Sequence, residues 1–150
     1  MSAPPAFAHP LNAAVLAYLA EGATPRAAPG HPAWDLDGYV LRTHPDLSEA
    51  LVESAGPRGR EFAGAAYGVV VLHAGDLIVA AAPGMRHLLY RLPPESHPFA
   101  VEMGGRPAPV AGADWLVFDA WDAEVPRRQH QGDLAYWCQR AFAWAHVVRR

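Results

Sequence analysis

The chain of 150 residues contains no lysine, so arginine supplies all twelve of its basic side chains. Its formal charge of -3 gives no general attraction to the phosphates of nucleic acids or to anionic lipids. The missing lysines, together with abundant Ala, Pro and Gly, are typical of a GC-rich coding bias. Composition therefore argues against nucleic acid as the main partner and gives no support for a membrane-surface function.

Cysteine is equally scarce, because Cys138 is the single one. An internal disulfide is excluded, and no cluster of thiols indicates zinc. This fits a reducing compartment, and we expect a cytoplasmic protein. Residues 1–9 lack the basic and apolar regions of a secretory signal, and no apolar run has the length of a membrane span. We predict one domain over residues 1–150, with a loose terminus at 1–9.

The motifs of common active sites are also absent from the sequence. None of the eight histidines belongs to an HxxxH or HExxH pattern, which gives a helical metal site no support. Ser48, Ser54 and Ser96 lie outside any GxSxG turn. Gly104–Gly105–Arg106 lacks the sequence context of a phosphate-binding loop. We therefore predict no catalytic residue, no metal ligand and no cofactor, and we favour a non-enzymatic function.

What the sequence does contain is a long apolar run from Tyr67 to Leu92, which predicts three antiparallel strands. Turn signals interrupt it at Gly75–Asp76 and at Pro83–Gly84. A two-residue loop at the first turn predicts three cross-strand pairs, which are His73 with Ile78, Val71 with Ala80, and Val69 with Ala82. Both faces of this hairpin are apolar. We expect helices to cover both faces, or helices to cover one and an oligomeric partner the other.

Helical spacing of apolar residues predicts helices on both sides of this meander. The first covers residues 10–21, and the second begins at Thr43, whose hydroxyl is expected to cap it, and ends at Gly56. Asp133 is expected to cap a last helix, whose apolar stripe consists of Leu134, Trp137, Cys138, Ala141, Ala145 and Val148. On this stripe Cys138 is more typical of a small buried hydrophobe than of a reactive thiolate.

The remaining segments complete an α+β prediction. Residues 115–121 are expected to add a fourth strand, and residues 38–42 an edge strand. Proline-rich residues 23–33 and 93–113 predict irregular connections, and residues 58–66 and 122–132 predict polar loops. The expected fold is a central antiparallel sheet of four to five strands, with N-terminal helices and a long C-terminal helix packed on it.

Four polar side chains could form a ligand-binding face on this sheet. If Pro83–Gly84 closes a two-residue turn, His87 and Arg91 share a face with His73, and such a group could bind an anion or a carboxylate. Asp119, near the end of the fourth strand, could join them. The same residues have structural alternatives, with His73 a hydrogen-bonded core histidine and Asp119 a solvated loop charge. His44 and Asp46 fit a helix start better than a metal site.

Aromatic residues of the last helix predict a contact surface. Tyr136 and Trp144 fall off its apolar stripe, so their exposure would indicate a protein partner or self-association. Arginines at both ends of this helix could form a small basic patch for weak nucleic-acid binding, and they are Arg127, Arg128, Arg149 and Arg150.

The second half of the chain resembles the MmcQ/YjbR and TfoX N-terminal-type domains, over about residues 64–145. The matching segments are Tyr67–Val69, Gly75–Ala80, Leu88–Leu92, Trp115–Val117 and Leu134–Ala145. The resemblance implies a small α/β domain in which a glycine-led hairpin and a late strand precede a C-terminal helix. It also implies DNA binding, although the lysines of the family's basic face are missing here. It implies no catalytic residue.

Three functions follow from the sequence. The first is a protein-interaction or self-association module, with a protein partner or a homodimer. The second is a small-ligand-binding protein or enzyme that uses His73, His87, Arg91 and Asp119. The third is a weak nucleic-acid binder.

Overall fold

The computed structural model describes residues 7–25 and 35–149, and an antiparallel sheet runs through their centre. The described strands are β1 (Asp35–Leu36), β2 (Tyr39–Val40), β3 (Ala63–Ala66), β4 (Val69–Ala74), β5 (Leu77–Ala82), β6 (His87–Arg91), β7 (Arg106–Pro107) and β8 (Trp115–Asp119). The described α-helices are α1 (Ala13–Ala20), α2 (Pro45–Ser54), α3 (His97–Glu102) and α4 (Arg127–Val148). β1 and β2 form a separate hairpin, and the other six strands form one sheet in the order β3-β4-β5-β6-β8-β7.

The α+β prediction is confirmed, with one strand more in the sheet than its upper limit. β4, β5 and β6 are the predicted meander, and β8 is the predicted fourth strand. β3 was expected to be loop, because its sequence Ala-Gly-Ala-Ala has none of the β-branched or aromatic residues that indicate a strand. It pairs with β4 through the two-residue turn Tyr67–Gly68, where both φ angles are positive (53° and 82°).

The predicted register of the first hairpin is wrong beyond its turn. His73 pairs with Ile78 as expected, but a β-bulge at Val79 then pairs Leu72 with Ala80 and Val71 with Ala81. The connection from β5 to β6 is also longer than two residues, so that Ala81 pairs with Leu89. Each change alone would move the β6 side chains to the opposite face of the sheet. Together they shift the register by an even number of residues, which leaves each β6 side chain on its predicted face. His73, Leu89 and Arg91 therefore still share one face, as predicted.

The sheet separates two hydrophobic clusters. One face carries Leu72, Leu77, Leu88 and Tyr90 and packs against α2 and α4, including the predicted stripe Leu134, Trp137, Cys138, Ala141 and Ala145. The other carries Val69, Val71, Ile78, Leu89 and Trp115 and packs against Phe7 and α1. Both faces of the meander are thus covered by the chain itself, so the apolar faces do not require an oligomeric partner.

Two helices start at residues other than the predicted ones. The cap of α2 is His44, whose Nδ1 accepts a hydrogen bond from the Asp46 N–H (3.1 Å), followed by Pro45. Thr43 is instead buried, and its hydroxyl donates to Ala82 O and accepts from Val70 N. α4 begins at Arg127, after Pro126, rather than at Asp133. The residues before Asp133 are polar, so no apolar periodicity indicated that they belong to the helix.

The remaining predictions concern the N-terminal third. The helix expected at 10–21 is present, as a 3₁₀ turn at Pro10–Asn12 followed by α1. Of the terminus expected to be loose, residues 1–6 lie outside the described residues, whereas Phe7 is buried. Most of the connection predicted at 23–33 also lies outside them. The edge strand expected at 38–42 is present as β2, but it pairs with β1 and not with the main sheet.

Candidate functional site

The four predicted ligand residues occupy three separate environments on one face of the sheet. His73 lies near the β4–β5 turn, where its ring Nδ1 lies 2.8 Å from Gly75 O. Because a carbonyl oxygen only accepts, Nδ1 carries the proton in this contact. The edge of the ring packs against Phe7, with 5.2 Å between centroids. His73 thus closes its own turn and holds the N-terminal segment.

Arg91 is the most buried of the four, with a side chain only 2% exposed. Its Nε donates to Ile78 O (2.9 Å), its Nη1 to Asp114 Oδ2 (3.0 Å) and its Nη2 to Leu11 O (3.3 Å). The guanidinium also lies 4.8 Å from the centre of the Trp115 ring. Burial lowers the pKa of Arg91 and Asp114 opposes that shift. We name Arg91, Asp114 and Trp115 the buried cluster.

His87 and Asp119 are brought together, because they are direct partners in the β6–β8 ladder. His87 Nε2 lies 3.4 Å from Asp119 Oδ1. Arg106 Nη2 lies 3.2 Å from the same oxygen, and Arg86 Nη2 lies 3.5 Å from Asp119 Oδ2. Partial burial raises the pKa of Asp119, but Arg106 and Arg86 outweigh it, so that the pKa is lowered. We name Arg86, His87, Arg106 and Asp119 the edge cluster.

Neither arginine of the edge cluster is among the residues predicted from the sequence. Arg106 lies in a strand of two residues within a proline-rich segment, which gave no strand signal. Arg86 directly precedes His87, but its approach to Asp119 depends on β8 pairing with β6 as well as with β7, which no local pattern reveals. The one signal in the sequence is that Arg86 is the chain neighbour of His87, which is itself a predicted ligand residue.

The predicted partner surface on α4 is only partly exposed. Tyr136 is 44% exposed and packs edge-on against Phe99 of α3, with 6.4 Å between ring centroids. Phe99 and Met103 are themselves about half exposed, so an apolar patch continues from α4 onto α3. Trp144 is half-buried, and its Nε1 has no hydrogen-bond partner within residues 7–25 and 35–149.

The predicted basic patch does not form as one surface. Arg127 is the first residue of α4, and Arg149 is its C-terminal cap. At 1.5 Å per residue their backbones are about 33 Å apart. Arg149 also lies 3.5 Å from Asp76, which offsets its charge. Arg150 lies outside the described residues.

Cys138 is fully buried between α4 and the sheet, as predicted. Burial raises the pKa of its thiol to about 11, so almost no thiolate forms near neutral pH. The adjacent Tyr90 hydroxyl donates to Ser54 Oγ (2.9 Å), and burial raises its pKa as well. These groups stabilise the interior rather than present a nucleophile.

A concavity lies between α2 and the start of α4. We name it the α2–α4 groove. It has a volume of about 730 Å³ and is closed on one side by the segment after β8. Ala50, Ala120 and Leu134 are its apolar residues next to the core, and the Trp121 side chain is 39% exposed at it. The Trp121 Nε1–H donates to Met85 O (3.2 Å), which fixes the indole.

Acidic side chains dominate the charged lining of the α2–α4 groove, and they are Asp46, Glu49, Glu53 and Asp122. The Glu49 side chain makes no ion pair or hydrogen bond with any residue that the structure describes. The Glu53 carboxylate accepts from Gln131 Nε2 (3.2 Å). Opposite them stand Arg127 and His130. His130 Nε2 lies 2.7 Å from Asp119 O, which assigns the proton of that contact to Nε2.

The α2–α4 groove is not predictable from local sequence, because α2 and α4 are more than seventy residues apart in the chain. The predicted polar loop at 122–132 gave the nearest indication, since it contains Asp122, Arg127 and His130. Within residues 7–25 and 35–149, no three His, Cys, Asp or Glu side chains are close enough to hold a metal ion.

Comparison with known proteins identifies no relative of this chain. No family model matches it, and no curated protein or solved structure is detectably similar to it. The class that the structure defines is an α+β fold with a six-stranded antiparallel sheet and a groove between two helices. None of the described helices combines the length and apolar character that crossing a membrane requires.

Proposed function

We propose that the protein binds an extended organic cation, of the diamine or polyamine class, in the α2–α4 groove. The observation that carries the proposal is a groove of about 730 Å³ lined by four carboxylates and one arginine. Its volume falls within the range of small-molecule sites, about 300–1,000 Å³. Its lining combines an apolar inner part with polar groups at the rim, which is the common composition of such sites.

The charge balance of the groove favours a cation. Arg127 contributes one positive charge, and the N-termini of α2 and α4 contribute about half a charge each. With His130 neutral, four carboxylates leave the groove with about two negative charges. Glu49 is exposed and has no partner among the described residues, so its carboxylate is free to pair with a ligand.

The spacing of the carboxylates supports an extended ligand. Asp46, Glu49 and Glu53 stand at i, i+3 and i+7, which places them along one face of α2. At 1.5 Å per residue they span about 10 Å. Amines separated by several methylene groups match this spread better than one compact ion. Ala50 and Leu134 offer apolar contact to the methylene groups, and the Trp121 ring can form a cation–π interaction with an ammonium group.

Isothermal titration at low ionic strength tests the proposal, with spermidine, 1,4-diaminobutane and n-butylamine as ligands. We expect affinity to fall in that order, because each lost amine removes one ion pair. Glu49→Gln should weaken spermidine binding roughly two- to fivefold, which is the range of an exposed ion pair of up to about 1 kcal/mol. The double variant Glu49→Gln/Glu53→Gln should weaken it about tenfold.

Glu102→Gln is the matched control, because Glu102 is an exposed acid at the end of α3 and outside the groove. It removes the same charge and should leave spermidine binding unchanged. Equal weakening by Glu102→Gln would show general attraction to an acidic protein and would contradict the groove. Absence of binding at millimolar spermidine would end the proposal.

Self-association is the second candidate function, and the apolar patch formed by Phe99, Met103 and Tyr136 favours it. The patch would be the interface with a second copy of the chain. Light scattering after gel filtration should then give a dimer mass that Tyr136→Glu converts to a monomer mass. A monomer at all protein concentrations would contradict it. The cytoplasmic location and the resemblance to MmcQ/YjbR domains stay predictions.

A further inference from the structure

We propose that the edge cluster is a binding site for a doubly charged oxyanion, of the inorganic phosphate or phosphate-monoester class. Arg86, His87 and Arg106 converge on the single carboxylate of Asp119, at 3.5, 3.4 and 3.2 Å. The cluster lies on the sheet face that carries Arg91, whereas the α2–α4 groove lies on the side covered by α2 and α4. No residue of the edge cluster lines the groove, so the failure of one proposal does not decide the other.

The positive charge of the cluster exceeds what its carboxylate can neutralise. Two guanidinium groups carry two positive charges, and Asp119 supplies one negative charge. The surplus is one positive charge with His87 neutral and two with His87 protonated. This surplus stands out in a chain whose formal charge is -3.

Hydrogen-bond donors also remain available in the cluster. A guanidinium has five N–H donors in a planar fork. Arg106 uses one of them on Asp119, and Arg86 makes only the longer ion pair. The Arg86 and Arg106 side chains are 62% and 51% exposed, so their remaining donors face water. Arginine forks match the geometry of phosphate oxygens, which can accept two parallel hydrogen bonds.

The backbone holds three of these side chains on neighbouring strands, and Arg86 lies in the turn directly before β6. His87 and Asp119 are direct partners across β6 and β8. Arg106 pairs with Val117, which places it diagonally next to Asp119 on the same sheet. The Arg86 carbonyl accepts from Ala120 N at 2.7 Å, which fixes the start of β6. A site on strands is positioned in advance and loses less freedom when a ligand binds.

A dianion fits the cluster better than a monoanion. The attraction between the surplus positive charge and a ligand grows with the charge of the ligand, so a dianion is held more strongly than a monoanion. A phosphate monoester carries close to two charges above pH 7, because its second pKa is about 6. It can contact both guanidiniums on their exposed sides while Asp119 stays in place.

The test is NMR titration at pH 8 and low salt with four probes, namely inorganic phosphate, glycerol 3-phosphate, dimethyl phosphate and acetate. We expect saturable shifts of the Arg86, His87, Arg106 and Asp119 amides with the first two probes only. Shifts with phosphate but not with glycerol 3-phosphate would assign the site to the free ion. Equal affinity for dimethyl phosphate, a singly charged diester, would overturn the preference for a dianion.

Variants with the same change of charge locate the binding. Arg86→Gln and Arg106→Gln should each raise the dissociation constant at least threefold. Arg128→Gln is the matched control, because Arg128 is exposed and makes no ion pair with the residues that the structure describes. It should change nothing. Equal weakening by Arg128→Gln, or no saturable binding at 10 mM phosphate, would overturn the proposal. Unchanged melting temperatures would confirm that the variants fold.

Discussion

Two arginine–carboxylate clusters occupy opposite ends of the same β6–β8 ladder, on the same face of the sheet. At one end His87 pairs with Asp119, and at the other Arg91 pairs with Trp115. The ends are four residues apart, which corresponds to about 13 Å. Their chemistry is the same, but the Arg91 side chain is 2% exposed and the Arg106 side chain 51%.

The difference shows how exposure decides what an arginine can do. In the buried cluster, the donors of Arg91 are divided among Asp114, Ile78 O and Leu11 O, so the side chain ties α1 and its 3₁₀ turn to the sheet. In the edge cluster, donors remain in contact with water. The buried cluster therefore contributes to folding, whereas the edge cluster is free to bind a ligand.

Replacing Arg91 is expected to have the largest effect on stability. Arg91→Ala should lower the free energy of unfolding by at least about 3 kcal/mol, because it leaves the mostly buried Asp114 carboxylate and two carbonyl oxygens without their partner. Arg86→Ala removes only an exposed ion pair and should cost less than about 1 kcal/mol. Urea unfolding of both variants measures the contrast, and similar losses would contradict it.

The next largest effect is expected at Asn12, a fully buried side chain next to the buried cluster. Its Oδ1 accepts from Ile78 N (3.0 Å), and its Nδ2 donates to Asp76 O (2.7 Å). Asn12→Ala leaves these backbone groups unpaired and should cost about 1–3 kcal/mol. Hydrogen exchange should show faster exchange of the Ile78 amide.

The exposed neighbour of Asn12 supplies the control. Leu11→Ala removes a side chain that is 46% exposed and leaves its carbonyl in place for Arg91. It should change the Ile78 amide very little. Equal acceleration in both variants would show that the N-terminal turn is held by apolar contact rather than by Asn12.

These two clusters also mark where the sequence was informative and where it was not. The meander, strand β8 and the apolar stripe of α4 were predictable, because local periodicity reports which side chains face a core. Asn12 and Arg91 gave no such signal, since each acts on Ile78, which is 66 residues away from the first and 13 from the second. Their polar side chains replace ladder hydrogen bonds next to the bulge at Val79.

The candidate sites were harder to predict than the fold. His87 and Asp119 were expected to share a site and lie 3.4 Å apart, but the expected grouping with His73 and Arg91 does not form. Strand parity placed all of them on one face, and parity says nothing about distance along a strand. The α2–α4 groove depends on helix packing between distant segments, which no local pattern encodes.

The smallest effect is expected for Asp119→Asn, about 0–1 kcal/mol at pH 7, because exposed ion pairs are screened by water. Partial burial raises the pKa of Asp119, but Arg106 and Arg86 outweigh it and lower the folded-state value. Such a group contributes stability above its unfolded pKa of about 3.9, and this contribution is lost as the pH falls through the folded pKa. Melting temperatures of the native protein and the variant should therefore differ slightly at pH 7 and converge in acid. A gap that widens below pH 4 would mean that Asp119 stabilises the fold in its protonated form, and the contrast between the two clusters would fail.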